Sequence, residues 1–217
     1  MAQYFEVHPT HPQRRLIAAA ARILREGGVI AYPTDSCYAF GCHVGDKQAM
    51  ERLRTLRGFD DRRHLTLVCR DLSEIALYAR VDNATYRLMR HLTPGSYTFI
   101  LKGTRELPRR LLHAKRKTIG VRVPDHPVTQ ALMAELDEPL LSATAVLPGE
   151  AEPANDAREI RDRLEHQLDL VIDAGSCGVE PTTVLDLTGP EPVLVRKGKG
   201  DLSEIGIAAL VQEADQA

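Results

Sequence analysis

The chain has 217 residues, 43% of them apolar and 27% charged, with a formal net charge of -2. That length suits one large domain able to bury roughly 70% of its unfolded surface, and the near-neutral balance argues against a generally cationic nucleic-acid coat or an acidic disordered tail. The N-terminal "MAQYFEVHPTHPQRR" lacks an apolar signal core and no apolar run approaches the ~18 residues that would span a bilayer, so a soluble, cytoplasmic protein with no membrane contact is expected.

In chain order, "RRLIAAAARILREGG" places Leu16, Ile17, Ala20, Ile23 and Leu24 on one helical stripe, stopped by Gly27 and Gly28. The strand "VIAY" follows and delivers "YPTDSCYAFGC", residues 32 to 42, which reads as a ligand loop. Asp46 is the expected N-cap of "KQAMERLRTLR", whose Ala49, Met50, Leu53 and Leu56 repeat at helical spacing until Gly58. Further strands are expected at "LTLVC", "YTFILKG", "TIGVRV", "PLLSATAV", "DLVID", "TTVLDL" and "PVLVRK", each bounded by Gly, Pro or Asp. About eight strands with helices between them predict an α/β or α+β layer built on one open mixed sheet. "GEAEPANDAREI" is the one linker-like stretch and reads as a mobile loop leading into a helix capped by Asp156.

The four cysteines, at 37, 42, 69 and 177, show no CxxC spacing and the eight histidines form no matching ligand pair. Buried free thiols are expected, and no metal site in the protein. Charge is unevenly spread: residues 87 to 126 carry ten Lys/Arg against two acids, and 135 to 173 carry eleven acids against three Arg. One face is therefore expected to attract anions.

Several stretches carry candidate chemistry. Pro33 fixes the exit of a strand, Thr34 offers a hydroxyl at its carboxyl end, and Asp35 and Ser36 can bond neighbouring amides; an ordinary strand-ending turn explains the same residues. In "TIGVRVPDHP" one arginine, Arg122, sits in an apolar strand. Left alone it would cost several kcal/mol, which implies either a structural acid, for which Asp186 is the candidate, or an anionic ligand. "PVLVRKGKG" brings Arg196, Lys197 and Lys199 beside glycines that permit close backbone approach to a phosphate; a solvated basic turn is the alternative. Arg57, Arg62, Arg63 and His64 surround a loop, and "GTRELPRRLLHAKRK" adds Arg105, Arg109, Arg110, His113, Lys115, Arg116 and Lys117 without an aromatic residue. That composition disfavours base stacking and allows contact with duplex phosphates.

Taken in order, "YPTDSCYAFGC", "YTFILKG" after "TPG", "TIGVRVPDHP", "PLLSATA", "TTVLDLT" and "VRKGKG" resemble the threonylcarbamoyl-AMP synthase (YrdC-like) family, and are similar to its YciO branch. The resemblance covers about residues 12 to 200 and fits a single domain over 1 to 217. It implies a YrdC-type α/β fold, a twisted open mixed sheet flanked by helices with a concave, positively charged cavity. It also implies L-threonine, bicarbonate and ATP as substrates, with magnesium accompanying ATP. In such enzymes a threonine carbamate attacks the α-phosphate of ATP, and the resulting threonylcarbamoyl-AMP feeds a transfer-RNA modification. Positioning and charge neutralisation supply the catalysis, and no protein nucleophile is implied. By the same resemblance Thr34, Arg122, Ser142 and Thr183 bind the amino acid, whereas Arg57, Arg63, Thr118, Thr144 and Arg196 line the nucleotide side.

Departures from the family pattern weigh against synthesis from ATP. The usual Lys-x-Arg-Pro reads Arg57, Gly58, Phe59, Asp60 here, and Lys-Pro-Leu reads Arg63, His64, Leu65. The Ser-x-Asn element reads Thr144, Ala145, Val146, and valine can make no side-chain hydrogen bond. Two lost charged hydrogen bonds, at about 1.5 to 3 kcal/mol each, would slow a nucleotide reaction by roughly two to four powers of ten. An AMP-like ligand needs fewer cations, so nucleotide binding with adenylate hydrolysis or weak synthesis is the first expectation. The alternative is a non-enzymatic protein binding double-stranded RNA, transfer RNA or ribosomal RNA through Arg109, Arg110, Lys115, Arg116 and Lys117, and the third is a scaffold that kept only the fold.

Overall fold

Val29–Tyr32 is apolar at every position, a pattern that requires cover on both faces and therefore a central place in a sheet. The computed structural model describes residues 1–56, 65–113 and 115–203 and places this strand accordingly. The strands are β1 (Gln3–Glu6), β2 (Val29–Tyr32), β3 (Ala39–His43), β4 (Thr66–Val68), β5 (Tyr97–Lys102), β6 (Thr118–Arg122), β7 (Leu140–Thr144), β8 (Leu170–Asp173), β9 (Thr183–Asp186) and β10 (Val193–Arg196). The helices are α1 (Arg14–Arg25), α2 (Lys47–Leu56), α3 (Leu72–Tyr78), α4 (Asn83–Leu92), α5 (Pro127–Leu136) and α6 (Ala157–Leu164).

Among the described residues the strands form one ten-stranded mixed sheet in the order β1-β8-β2-β3-β7-β4-β6-β5-β9-β10. The expected open mixed sheet is present, with two strands more than expected. β1 is an edge strand with exposed ends, so its sequence shows no clean alternation. β3 was hidden inside the loop read over residues 32 to 42. "AFGCH" shows no alternation because β3 lies between β2 and β7 with both faces covered. Its Gly41 looks like a turn residue, but a Cβ there would lie 2.8 Å from the Tyr32 ring and 2.7 Å from Leu140. Glycine is needed for packing, and the true loop is confined to residues 33–38.

The two faces of the sheet are covered unequally. On one face Val29, Phe40, Leu67, Phe99, Val121, Leu141 and Leu185 pack with α2, α3, α4 and α6. On the other, α1 and α5 cover Ile30, Tyr32, Val68, Leu140, Leu170 and Ile172. Among the described residues that second cover stops short of β6, β5 and β9, and the part it leaves becomes the candidate site.

Local signals in the sequence account for the helix ends. Gly27 ends α1 at φ 85°, and the Gly28 amide donates to the Ile23 carbonyl at 2.8 Å, the pattern of a left-handed C-terminal cap. Asp46 caps α2 by accepting from the Ala49 amide at 2.9 Å, and Asp156 caps α6 by accepting from Arg158 at 2.8 Å. The stretch read as a mobile loop is fastened by Asn155, whose Oδ1 accepts from Ser176, Cys177 and Gly178 after β8. All four cysteines are free; Cys37, Cys42 and Cys69 are buried, while Cys177 is half-buried. Among the described residues no helix is long and apolar enough to cross a membrane.

Phe99 is fully buried on β5, between β6 and β9. Phe99→Ala should lower the unfolding free energy by about 3 to 5 kcal/mol in a urea titration. Gly41→Ala should cost about 1 to 3 kcal/mol through overpacking against Tyr32, and a neutral result would contradict the packing described.

Candidate functional site

The 33–38 loop is closed by its own hydroxyl. Thr34 Oγ1 donates to the Cys37 carbonyl at 2.6 Å and lies 3.2 and 3.3 Å from the Ser36 and Cys37 amides, which donate to it. One donor and two acceptor positions are all a hydroxyl has, so Thr34 builds the loop and presents the rest of its surface to the adjoining pocket. Pro33 is held by Thr129 of α5, whose hydroxyl donates to the Pro33 carbonyl at 2.5 Å.

Arg122 closes β6, and β-alternation turns it away from Val121 to the incompletely covered face. Its partner is Asp35, not Asp186 as the sequence suggested. Arg122 Nη2 donates to Asp35 Oδ1, and Nη1 lies 3.4 Å from Ser36 Oγ. The side chains of the pair are 10% and 8% exposed, so this is a buried ion pair. Asp186 instead closes the turn after its own strand, accepting from the Thr188 amide and hydroxyl at 2.9 and 2.6 Å. Asp35 Oδ2 accepts from Ser96 Oγ at 2.9 Å, and the Asp35 carbonyl accepts from Lys199 Nζ. Arg122 Nε is buried without a hydrogen-bond partner.

The strand registers put a set of hydroxyls on this same face. Thr66 stands level with Ser142 on one side and Gly120 on the other, and Thr66 and Thr98 would flank a Cβ at Gly120 at 3.3 and 3.4 Å. Thr118 and Thr144 share the face by alternation. The hydroxyls of Thr66, Thr118 and Thr144 make no hydrogen bond to another described residue. Ser142 is spent internally: its Oγ lies 2.7 Å from Tyr32 Oη and donates to the Phe40 carbonyl at 3.2 Å. Burial pushes the Tyr32 phenol up to about 12, with the Ser142 hydrogen bond opposing it.

Arg196 reaches the site because β10 is bulged. Leu194 is level with Leu185, but Arg196 is level with Val184, a register shift of one residue. Regular pairing would turn Arg196 to the opposite face; the bulge re-aims it. Its Nη2 and Nε donate to the Thr182 carbonyl at 2.9 and 3.2 Å, and Thr182 Oγ1 lies 2.8 Å from Thr98 Oγ1. Burial lowers the Arg196 pKa below the usual arginine range; the Cys37 sulfur opposes this and the Arg122 charge adds to it. Among the described residues Arg196 has no carboxylate partner.

Thr183, expected at the amino-acid site, points into the turn after β10. Its hydroxyl donates to the Gly200 carbonyl at 2.8 Å and accepts from the Gly198 amide at 3.1 Å. Thr182, one residue earlier, is the hydroxyl on the ligand face; the doubled threonine signals both, and only strand parity separates them. The turn that Thr183 holds sets Lys199 on Asp35 and packs Gly200 beneath the Tyr97 ring.

Behind the loop lies an open hollow of about 510 Å³ lined by Thr34, Asp35, Ser96, Asp125, His126 and Lys199, among others, and including Asp201. The lining of this hollow includes three carboxylates, Asp35, Asp125 and Asp201, and one ammonium, Lys199. Burial lowers the His126 pKa against the pull of Asp35 and Asp125. The cations Arg122 and Arg196 lie on the sheet side of the loop. Ser96 and His126 carry no signal in the sequence, and Lys199, read as a phosphate contact, donates to the Asp35 carbonyl instead; the three come from loops far apart in sequence.

Arg109, Arg110, Lys115, Arg116 and Lys117 are exposed around the short helical turn Arg109–Leu111 and the approach to β6. None pairs with a carboxylate among the described residues, although Arg110 donates to the Gly45 carbonyl at 3.1 Å. Arg57, Arg62, Arg63 and His64, with Phe59 and Asp60, lie outside the described residues. Among the described residues no three His, Cys, Asp or Glu side chains gather into a metal-ligand set.

The chain is 56% identical over 202 residues to YciO of Escherichia coli strain K12, covering 93% of this chain and 98% of that protein. It is 29% identical over 195 residues to the threonylcarbamoyl-AMP synthase of Bacillus subtilis strain 168, covering 89% of this chain and 55% of the relative. The fold is similar to the crystal structure of E. coli YciO with a TM-score of 0.91, covering 94% of this chain and 100% of that one. It is also similar to P. abyssi Sua5 complexed with L-threonine, at 25% identity and a TM-score of 0.82, covering 90% of this chain and 57% of that one. Residues 22–198 match the Sua5–YciO–YrdC family model, whose description is "Telomere recombination", and with the YciO identity this establishes that the chain belongs to the Sua5–YciO–YrdC family.

Proposed function

We propose that this protein binds an adenine nucleotide on the uncovered sheet face and a small amino acid, L-threonine, at Arg122, and that it hydrolyses an acyl adenylate in preference to making one from ATP. The observation that carries the reading is that two guanidinium groups, Arg122 and Arg196, stand on one face of the sheet with Asp35 as their one carboxylate partner among the described residues, beside threonine hydroxyls that bond no other described residue. A buried or half-buried cation without a counterion implies an anion that arrives with the ligand.

Thr118 and Thr144 stand level with each other, and β6 separates them from Arg122 by four residues, roughly 13 Å along the strand at about 3.3 Å per residue. That span suits an adenylate with its phosphate at the arginine end. Val146, which pairs its backbone with Pro153, brings no polar side chain to the nucleotide. With that contact missing, the site favours a monophosphate ester over a triphosphate. In hydrolysis, water cleaves the acyl–phosphate anhydride of threonylcarbamoyl-AMP, releasing AMP and the carbamate, which loses carbon dioxide to give threonine. Magnesium enters only as the companion of a triphosphate, since the described residues offer no ligand set of their own.

Calorimetry with AMP, ATP and L-threonine, followed by assays of adenylate formation and breakdown, tests the proposal. Wild-type protein should bind AMP and release it from threonylcarbamoyl-AMP faster than it forms that adenylate from ATP. Arg196→Ala should weaken AMP about ten- to a hundredfold, the loss of a charged hydrogen bond, while leaving threonine less affected. Folded protein that binds none of the three would end the proposal.

The exposed, carboxylate-free run Arg109, Arg110, Lys115, Arg116 and Lys117 supports a second reading, binding of RNA through phosphates. Duplex-RNA affinity should then fall linearly with log salt, and Arg116→Ala should reduce the slope by about 1. Failure of the protein to retain duplex RNA at low salt would remove this reading.

A further inference from the structure

We infer that Asp35 reads the amine of the amino-acid ligand, so that the Arg122–Asp35 pair is a zwitterion clamp whose two halves meet the carboxylate and the ammonium of the ligand respectively. The inference rests on the reading above that an amino acid binds at Arg122, and adds to it the group that distinguishes an amino acid from a simple carboxylic acid.

The pair is unfinished on both sides. Arg122 is more than nine-tenths buried, and its Nη groups face Asp35 and Ser36 while Nε has no acceptor. A guanidinium carries five N–H donors, so the unfilled flank still has hydrogens for a carboxylate. Asp35 has a complementary surplus. An ionised carboxylate has about four lone-pair sites, and the described side-chain donors to it are Arg122 and Ser96. Capacity remains for an ammonium group.

Asp35 is also held in place independently of Arg122. Ser96 fixes Oδ2 from the start of β5, Lys199 holds the Asp35 carbonyl, and the Thr34 hydroxyl closes the loop around it. Arg122 can therefore shift toward a ligand without Asp35 collapsing after it. As a device for stability alone the pair is weak, because buried ion pairs roughly cancel their own desolvation; its geometry makes sense as preorganised recognition.

The local field divides at the same point. On the hollow's side Asp35, Asp125 and Asp201 line the same wall as Lys199. On the sheet side Arg122 and Arg196 share one face, Arg196 level with Val184 and Val184 level with Thr98. An ammonium gains by lying toward the acids and a carboxylate by lying toward the arginines, and a zwitterion placed across the pair does both. The hollow of about 510 Å³ has room for the side chain of a small amino acid.

Calorimetry with three ligands tests this: L-threonine, 2,3-dihydroxybutanoate, in which a hydroxyl replaces the amine, and threonine methyl ester, which lacks the carboxylate charge. Wild-type protein should bind threonine at least tenfold more tightly than either analogue. Asp35→Asn should weaken threonine tenfold or more while leaving 2,3-dihydroxybutanoate equal or tighter, so that the discrimination disappears. Equal wild-type affinity for threonine and the dihydroxy acid overturns the inference, as does an Asp35→Asn variant that weakens both by the same factor. Should that variant not fold, the wild-type ratio decides alone. Binding of threonine without discrimination sinks only the clamp, whereas no binding of any of the three to folded protein removes the amino-acid reading and the clamp with it.

Discussion

A guanidinium inside an apolar strand is the constraint on which the site depends. Arg122 lies between Val121 and Val123, both of which face the packed core, and its charge cannot stay there without partners. The fold answers by curling the 33–38 loop over the sheet so that Asp35 meets it, by fixing Asp35 with Ser96 and Lys199, and by leaving α5 short of β6. Each of these features would be unnecessary if residue 122 were another valine. The loop, the turn after β10 and the incomplete helical cover are best understood together, as the surroundings one buried charge requires.

The same reasoning explains why the uncovered face is polar in rows. Successive strand residues alternate between faces, so Thr66, Thr98 and Thr118 on this side each have an apolar neighbour packed beneath, Leu67, Phe99 and Ile119. The hydroxyl-bearing face is rigid because its reverse is the larger core cluster. Arg196 joins it through a backbone device, the bulge in β10, and Thr182 then fixes the guanidinium by its carbonyl. A rigid floor of hydroxyls with two arginines on one side suits a ligand whose charge is concentrated at one point.

Much of this was legible in the sequence, for reasons that can be named. Helix stripes, caps and strand runs come from local chemistry, so α1, α2, the Asp156 cap and eight strands were readable. Arg122 announced itself as the odd charge in an apolar run, and Thr118 and Thr144 lie on its side of the sheet. What could not be read was set by long-range pairing. The choice of Asp35 over Asp186 as partner depends on where a loop crosses the sheet. The exchange of Thr183 for Thr182 turns on a parity of one residue, and the orientation of Arg196 on a bulge that composition does not mark. β3 was missed because a strand covered on both faces loses its alternation. The acid-rich hollow behind the loop arises from residues 35, 125 and 201, which no linear pattern brings together.

The account stands or falls on where a ligand's charges settle. The most direct measurement is a crystal structure of the protein with a non-hydrolysable threonylcarbamoyl-adenylate analogue. The account predicts the amino-acid carboxylate within hydrogen-bonding distance of Arg122, the phosphate beside Arg196, and the adenosine over Thr118 and Thr144. An analogue bound elsewhere, or lying on this face with Arg122 and Arg196 both uninvolved, would contradict it.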